Sequence, residues 1–107
     1  MKLKTDIVKE DDRYKVADDT SLNQLVVSTT KLFAKKRTTG HAHAGQEEVY
    51  VFTKGKGEMQ IDNMRFKVKE GDVILIEDGQ FHRVYNTSDY RLDFLCIFTG
   101  SRNKWKR

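Results

Sequence analysis

From Leu22 onward, short runs of β-branched and aromatic residues recur with turn residues between them, and no stretch carries a convincing helical period. The segments at 23–28, 31–35, 48–53, 57–61, 64–69, 72–76, 81–86 and 91–98 read as strands, and eight strands suit an all-β barrel or jelly roll. The clearest hairpin is at 57–69, where Asp62-Asn63 supplies two residue types that tolerate the positive φ of a two-residue loop. In Met64-Arg65-Phe66-Lys67-Val68-Lys69 apolar and basic side chains strictly alternate, so one face is expected in the core and the other in water. Pro is absent, which leaves the turns to Gly, Asn and Asp.

Residues 1–21 mix charges of both signs and include Asp11-Asp12 and Asp18-Asp19. They read as a lead-in segment of turns around at most a short strand at 14–16, able to add an edge strand. A barrel at 22–100 follows, then a basic tail at 101–107. The tail, with Arg102, Lys104, Trp105, Lys106 and Arg107, has the composition of a phosphate- and base-binding patch. A solvated terminus is the commoner outcome, with Trp105 packed on the barrel exterior or a partner subunit, so nucleic acid is not expected as a partner.

Composition narrows the picture further. With 37% apolar and 34% charged residues the chain suits a globular domain rather than a disordered one. Its apolar runs stop at four or five residues, so no membrane span is expected. The N-terminus lacks the apolar core of a secretory signal, and a cytoplasmic location is the default expectation. Cys96 is the only cysteine, so no intrachain disulfide forms; in its apolar run it reads as a buried, inert thiol. The formal charge of +4 is mild and mostly dispersed, compatible with an anionic substrate.

The chemistry concentrates on the three histidines. His41 and His43 stand two apart just before a segment that opens with Glu48, and in extended chain such residues project to one side. His82 follows the turn at 77–80 and begins another strand, where barrel closure would bring it opposite the first pair. Imidazole with carboxylate suits Mn, Fe, Co, Ni or Zn better than Ca or Mg, which prefer oxygen shells. Glu47 competes with Glu48 for the carboxylate role. Tyr50 and Phe52 share the inward face with Glu48; Phe52 reads as core, whereas a buried Tyr50 hydroxyl is placed to orient a substrate or donate a proton. Gln46, Gln80 and Phe81 flank these loops at the expected entrance.

This spacing resembles the cupin superfamily, over about residues 40–86 with weaker support to Phe98. The first cupin motif, His-x-His, three or four residues, Glu, six residues, Gly, is matched by His41, His43, Glu48 and Gly55. The second, Gly, five residues, Pro, one residue, Gly, two residues, His, three residues, Asn, is matched by Gly71, Gly79, His82 and Asn86, with Glu77 in the proline slot. Lys35 holds the place of a glycine that often precedes the histidine pair. The count to Gly55 favours Glu48 over Glu47.

The resemblance implies a small single-domain cupin barrel (double-stranded β-helix, or jelly roll). It makes His41, His43, Glu48 and His82 ligands of one divalent transition metal, with Asn86 tying a turn or strand end. It implies a small-molecule substrate and a homodimer formed through outer strands or the N-terminal segment. Cupins carry many chemistries. The first expectation is an isomerase- or epimerase-type metalloenzyme acting by Lewis-acid chemistry on a small polar substrate such as a sugar or sugar phosphate. The alternatives are a mononuclear non-haem iron dioxygenase and a non-catalytic ligand-binding or sensing module.

Overall fold

Alternation of inward and outward side chains builds two sheets that face each other across one core. The computed structural model describes residues 2–3, 5–19 and 21–99, so the basic tail lies outside the described residues. The strands are β1 (Asp6–Glu10), β2 (Tyr14–Asp19), β3 (Leu25–Leu32), β4 (Glu48–Lys54), β5 (Lys56–Ile61), β6 (Met64–Lys69), β7 (Val73–Ile76), β8 (His82–Tyr85) and β9 (Leu92–Thr99). One sheet has the order β1-β2-β3-β9-β4-β7 and the other β6-β5-β8, and every paired neighbour is antiparallel. This is the jelly-roll arrangement expected of a cupin barrel.

The large sheet sends Leu32, Tyr50, Phe52, Phe94 and Phe98 inward, and the small sheet answers with Met59, Ile61, Val68 and Val84, all buried. Each aromatic or aliphatic side chain so placed contributes roughly 1.5–3 kcal/mol through burial. Cys96 joins this core at 3% exposure, in line with its reading as a packing residue.

The hairpin forms as expected: Ile61 pairs with Met64 and Asp62 takes a φ of 50°. The alternation of β6 holds only in part, because β6 is an edge strand and Met64 flanks the turn. Val68 is buried and Phe66 partly so, but Met64 is 65% exposed.

Two expectations need correction. Residues 23–28 and 31–35 are not separate strands: β3 runs unbroken through Thr29 and Thr30, which pair with Ala17 and Val16 on one side and with Leu95 and Phe94 on the other. Threonine is β-branched and suits a paired strand, so the polar step marks no turn. The first twenty residues also hold more strand than 14–16. β1 forms an edge of the large sheet, and β2 puts Tyr14, Val16 and Asp18 inward, so Asp18-Asp19 is strand rather than turn. The turn is at Asp11, whose carboxylate accepts from the Arg13 and Tyr14 amides. The Arg13 amide bond and its guanidinium hold that carboxyl below its ordinary value.

Lys35 sits just after β3 with a φ of 63°, the left-handed conformation for which glycine is suited. Its ammonium group donates to the Thr87 carbonyl at 2.9 Å and lies 3.5 Å from Asp89. Lys35→Gly is expected to leave stability within about 0.5 kcal/mol, because relief of backbone strain offsets the more flexible unfolded chain. Lys35→Val, β-branched at positive φ, is expected to cost about 1–2 kcal/mol. Urea unfolding midpoints of the two variants check the difference.

Candidate metal centre

The segment that carries the first two histidines is laid against β8 and the residues flanking it by main-chain hydrogen bonds. The Asn86 amide donates to the Lys36 carbonyl (2.8 Å), Thr38 to Val84 (2.9 Å) and Gly79 to His43 (2.9 Å). Between these contacts, His41 and His82 exchange both of their main-chain bonds, at 3.2 and 2.9 Å, as a bridged antiparallel pair. Two histidines distant in sequence are therefore set opposite each other by backbone alone. Glu48 enters from the facing sheet at the start of β4, where it pairs with Phe98 and Ile76.

The four side chains converge. His43 Nε2 lies 3.2 Å and His82 Nε2 3.6 Å from the same Glu48 oxygen, Oε1. The His41 ring centroid is 4.6 Å from that of His43 and 4.4 Å from that of His82. One potential donor atom from each of the four residues lies within 4.8 Å of the other three. Glu48 and His82 are 1% exposed and His43 7%, whereas His41 is half-buried and forms the side nearest solvent. Glu47 is exposed, so the structure turns Glu48 and not Glu47 inward.

Two imidazoles are also oriented from behind. His41 Nδ1 is 3.2 Å from the Thr39 carbonyl oxygen, and His82 Nδ1 is 3.0 Å from that of Gln80. A carbonyl only accepts, so in each neutral ring the hydrogen sits on Nδ1 and Nε2 keeps its lone pair for the centre. Three imidazoles and one buried carboxylate form a set able to coordinate a first-row divalent ion. A cation also offsets the cost of holding that carboxylate away from water. The set therefore fits a metal.

Residues 32–98 match the cupin domain family. The chain belongs to the cupin family. An uncharacterised protein of Methanocaldococcus jannaschii is 38% identical over 60 residues, 56% of this cupin and 48% of its own length. An oxalate-binding protein of Thermotoga maritima is 32% identical over 57 residues, 53% of this cupin and 47% of that chain. The cupin thus spans about half the length of either relative. The solved structure of KdgF from a Halomonas species superposes with a TM-score of 0.79, covering 92% of this cupin and 91% of that chain at 14% identity, a likeness of fold.

Both departures of this cupin from the family pattern have local explanations. Lys35 adopts the glycine-like conformation itself. At the proline slot, the Glu77 amide donates to Gln80 Oε1 at 2.8 Å, a bond that proline cannot make, and Gly79 takes a φ of 79° within the same turn. Asn86 ties the strand end: its amide donates to the Leu32, Phe33 and Tyr90 carbonyls, and its oxygen accepts from the Ser88 amide and hydroxyl.

Tyr50 is 4% exposed, and its ring meets His82 edge-on at 5.6 Å and stacks on Phe94 at 5.4 Å. It borders the cluster without belonging to it. Of the residues expected at the entrance, Gln46 donates its amide to the Thr99 carbonyl and fastens its loop to β9. The Gln80 amide reaches Asp62 Oδ2 at 3.3 Å, and the half-buried Phe81 ring lies over Gly40, where a Cβ would stand 2.1 Å from it.

One group of cations among the described residues lies away from the histidines. Two adjoining cavities, of about 450 and 610 Å³, share Lys56, Lys69 and Ser88 and reach Lys54, Lys67 and Arg91. Glu48 begins β4 and Lys54 ends it, which puts Lys54 roughly 20 Å from the cluster at the strand's rise per residue. These cations are thus no direct argument for an anionic substrate at the histidines.

Proposed function

We propose that His41, His43, Glu48 and His82 hold one divalent transition metal ion (Mn, Fe, Co, Ni or Zn) in an enzyme of the isomerase or epimerase type, acting on a small polar substrate such as a sugar or sugar phosphate. The observation that carries this reading is the convergence of three imidazoles and one carboxylate within 4.8 Å, buried except on the His41 side. When bound, such an ion supplies Lewis acidity toward oxygen atoms of a ligand. His41 and His82 present Nε2 because carbonyls fix their Nδ1 hydrogens. Glu48 supplies the negative charge, and Phe52 and Phe94 keep the far side dry. Tyr50, beside His82, orients the substrate or donates a proton.

The test is exchange of carbon-bound hydrogen with heavy water, by the metal-loaded protein, across a panel of aldoses, sugar phosphates and uronates. Exchange that disappears in Tyr50→Phe supports the reading; no exchange on any member of the panel overturns it. Oxygen consumption by the iron-loaded protein would instead establish a dioxygenase. A second reading, ligand binding without turnover, is favoured by the likeness to the oxalate-binding protein of T. maritima. Calorimetric binding of oxalate without product formation would establish it.

A second copy of the chain is the partner proposed for the outer face of the large sheet. There Val73 and Leu75 are 62% and 51% exposed, and the register sets them beside Val51 and Val49, which neighbour Leu95 and Ile97. Such a continuous apolar patch is more than scattered surface hydrophobes. Sedimentation giving only the 12.5 kDa species would remove this proposal. No helix among the described residues is long and apolar enough to cross a membrane.

A further inference from the structure

The small sheet turns its second face outward, away from the core and from the histidines: His82 points in and its neighbour Arg83 points out. The register lays the outward side chains of β5, β6 and β8 in rows. In one row Lys69 stands beside Lys56. In the next, Lys67 stands beside Glu58 and Glu58 beside Tyr85, to which Arg37 is bridged from the other side. In the third, Arg65 stands beside Gln60 and Gln60 beside Arg83. The face thus gathers six cations against one carboxylate, an excess larger than the formal +4 of the whole chain. The same residues are scattered from position 37 to position 83 in the sequence, where the charge reads as dispersed; strand pairing concentrates it.

The fold makes little use of this charge. Glu58 is taken by Arg65 at 2.8 Å, and no carboxylate of the described residues lies within ion-pairing distance of Arg37, Lys56, Lys67, Lys69 or Arg83. Lys56 and Lys69 stand directly opposite each other, an arrangement that like-charge repulsion makes unfavourable. An anion laid across the pair removes that cost. The cations are also open to a ligand: all are exposed except the half-buried Arg83. The two adjoining cavities open beside Lys56 and Lys69, and the larger is lined as well by Lys54 and by Tyr90, which is 78% exposed. Of the acidic residues bordering them, Glu58 is held by Arg65 and Asp72 by the Lys69 amide at 2.9 Å, which leaves Glu70.

We infer that this face binds single-stranded nucleic acid, with phosphates on the cations of β5 and β6 and a base stacked on Tyr90. Along β6 a cation recurs every second residue, roughly 7 Å apart, so the charges are spread out rather than converging on one point. A chain of phosphates matches that spread better than a single small anion does. An exposed aromatic ring beside the cations favours nucleic acid over an acidic peptide, because every base offers a π-face. Gln60 and Tyr85 complete the outward face, joined by a 2.8 Å hydrogen bond, so it presents no aliphatic side chain to a lipid surface. The inference goes beyond the proposed function and is independent of the metal. It departs from the expectation drawn from the sequence, which weighed only the basic tail for this role.

Fluorescence anisotropy of a labelled oligothymidylate about ten nucleotides long, with the full chain, reads the interaction. Binding is expected at low salt and should weaken as salt rises. Lys56→Gln, Lys67→Gln and Lys69→Gln combined should weaken it at least about tenfold and flatten the slope of log affinity against log salt by about 2, the effect of three lost phosphate contacts. A melting temperature no lower than that of the parent shows that this variant keeps the fold. Tyr90→Ala should weaken oligonucleotide binding about tenfold and leave the affinity for inorganic polyphosphate unchanged. Lys104→Gln, Lys106→Gln and Arg107→Gln combined should keep most of the parent's affinity. No binding at low salt, loss in the tail variant rather than in the face variant, insensitivity to Tyr90→Ala, or equally tight binding of polyglutamate or of phosphatidylserine vesicles overturns the inference.

Discussion

His82→Ala is expected to lower affinity for a divalent metal by at least about 100-fold, more than the loss of a partner behind a ligand costs. The argument is geometric. His82 shares Glu48 Oε1 with His43 and lies edge-on to His41, so its removal takes one donor from the middle of the set. The pairing that holds the segment is main chain, through the His41 and His82 amides and carbonyls, and survives the substitution. The metal-free variant should therefore still fold. Addition of metal is expected to raise the stability of the parent protein by about 4 kcal/mol at a thousandfold excess over Kd and to leave the variant almost unmoved. Competition with a chromophoric chelator and thermal melts with and without metal read the two effects. Glu47→Ala, an exposed change, should behave as the parent; equal loss in Glu47→Ala and His82→Ala would contradict the assignment.

The second large effect is expected at Asn86, which no proposed ligand touches. Its amide group donates to three carbonyls, at 3.0 Å to Leu32, 3.1 Å to Phe33 and 2.7 Å to Tyr90, and the residue is 2% exposed. Asn86→Ala leaves those acceptors and the Ser88 donors without this partner, and is expected to cost about 3 kcal/mol. Asn86→Asp keeps the shape and the acceptor for Ser88 but turns an oxygen toward three carbonyl oxygens, so it should be at least as damaging at neutral pH. Chemical denaturation separates this account from a surface role, which would leave both variants within about 0.5 kcal/mol of the parent.

The residues that were legible in the sequence are those whose spacing alone determines geometry. His41-x-His43, the inward alternation of Glu48, Tyr50 and Phe52, and the Asp62-Asn63 loop all express periods of two or the demands of a tight turn. The burial of Glu48, Tyr50 and Phe52 follows that alternation. What spacing does not encode is tertiary pairing. β1 is polar and exposed throughout, so only its partner β2 makes it a strand. β3 reads as two pieces because its polar Ser28, Thr29 and Thr30 are carried by neighbours on both sides. The carbonyls of Thr39 and Gln80 that orient two imidazoles are backbone groups and leave no residue signature.

Tyr50, Cys96, Ser28 and Asp18, set side by side on the inner face of the large sheet, belong to the same class. They lie on four strands whose order in the sheet is not their order in sequence, β2-β3-β9-β4, and only the register shows them to be neighbours. A reading by local pattern assigns Asp18 to a turn because Asp19 follows it. The sheet assigns it to the interior.

The most direct test of the central claim, that two segments of backbone bring four donors to one cation, is a crystal structure of the metal-loaded protein with anomalous scattering measured at the metal edge. The account predicts one strong peak per chain, about 2.0–2.2 Å from an imidazole nitrogen of His41, His43 and His82 and from a carboxylate oxygen of Glu48. A peak at any other set of side chains, or an ion held by His41 and His43 with His82 turned away, would contradict it.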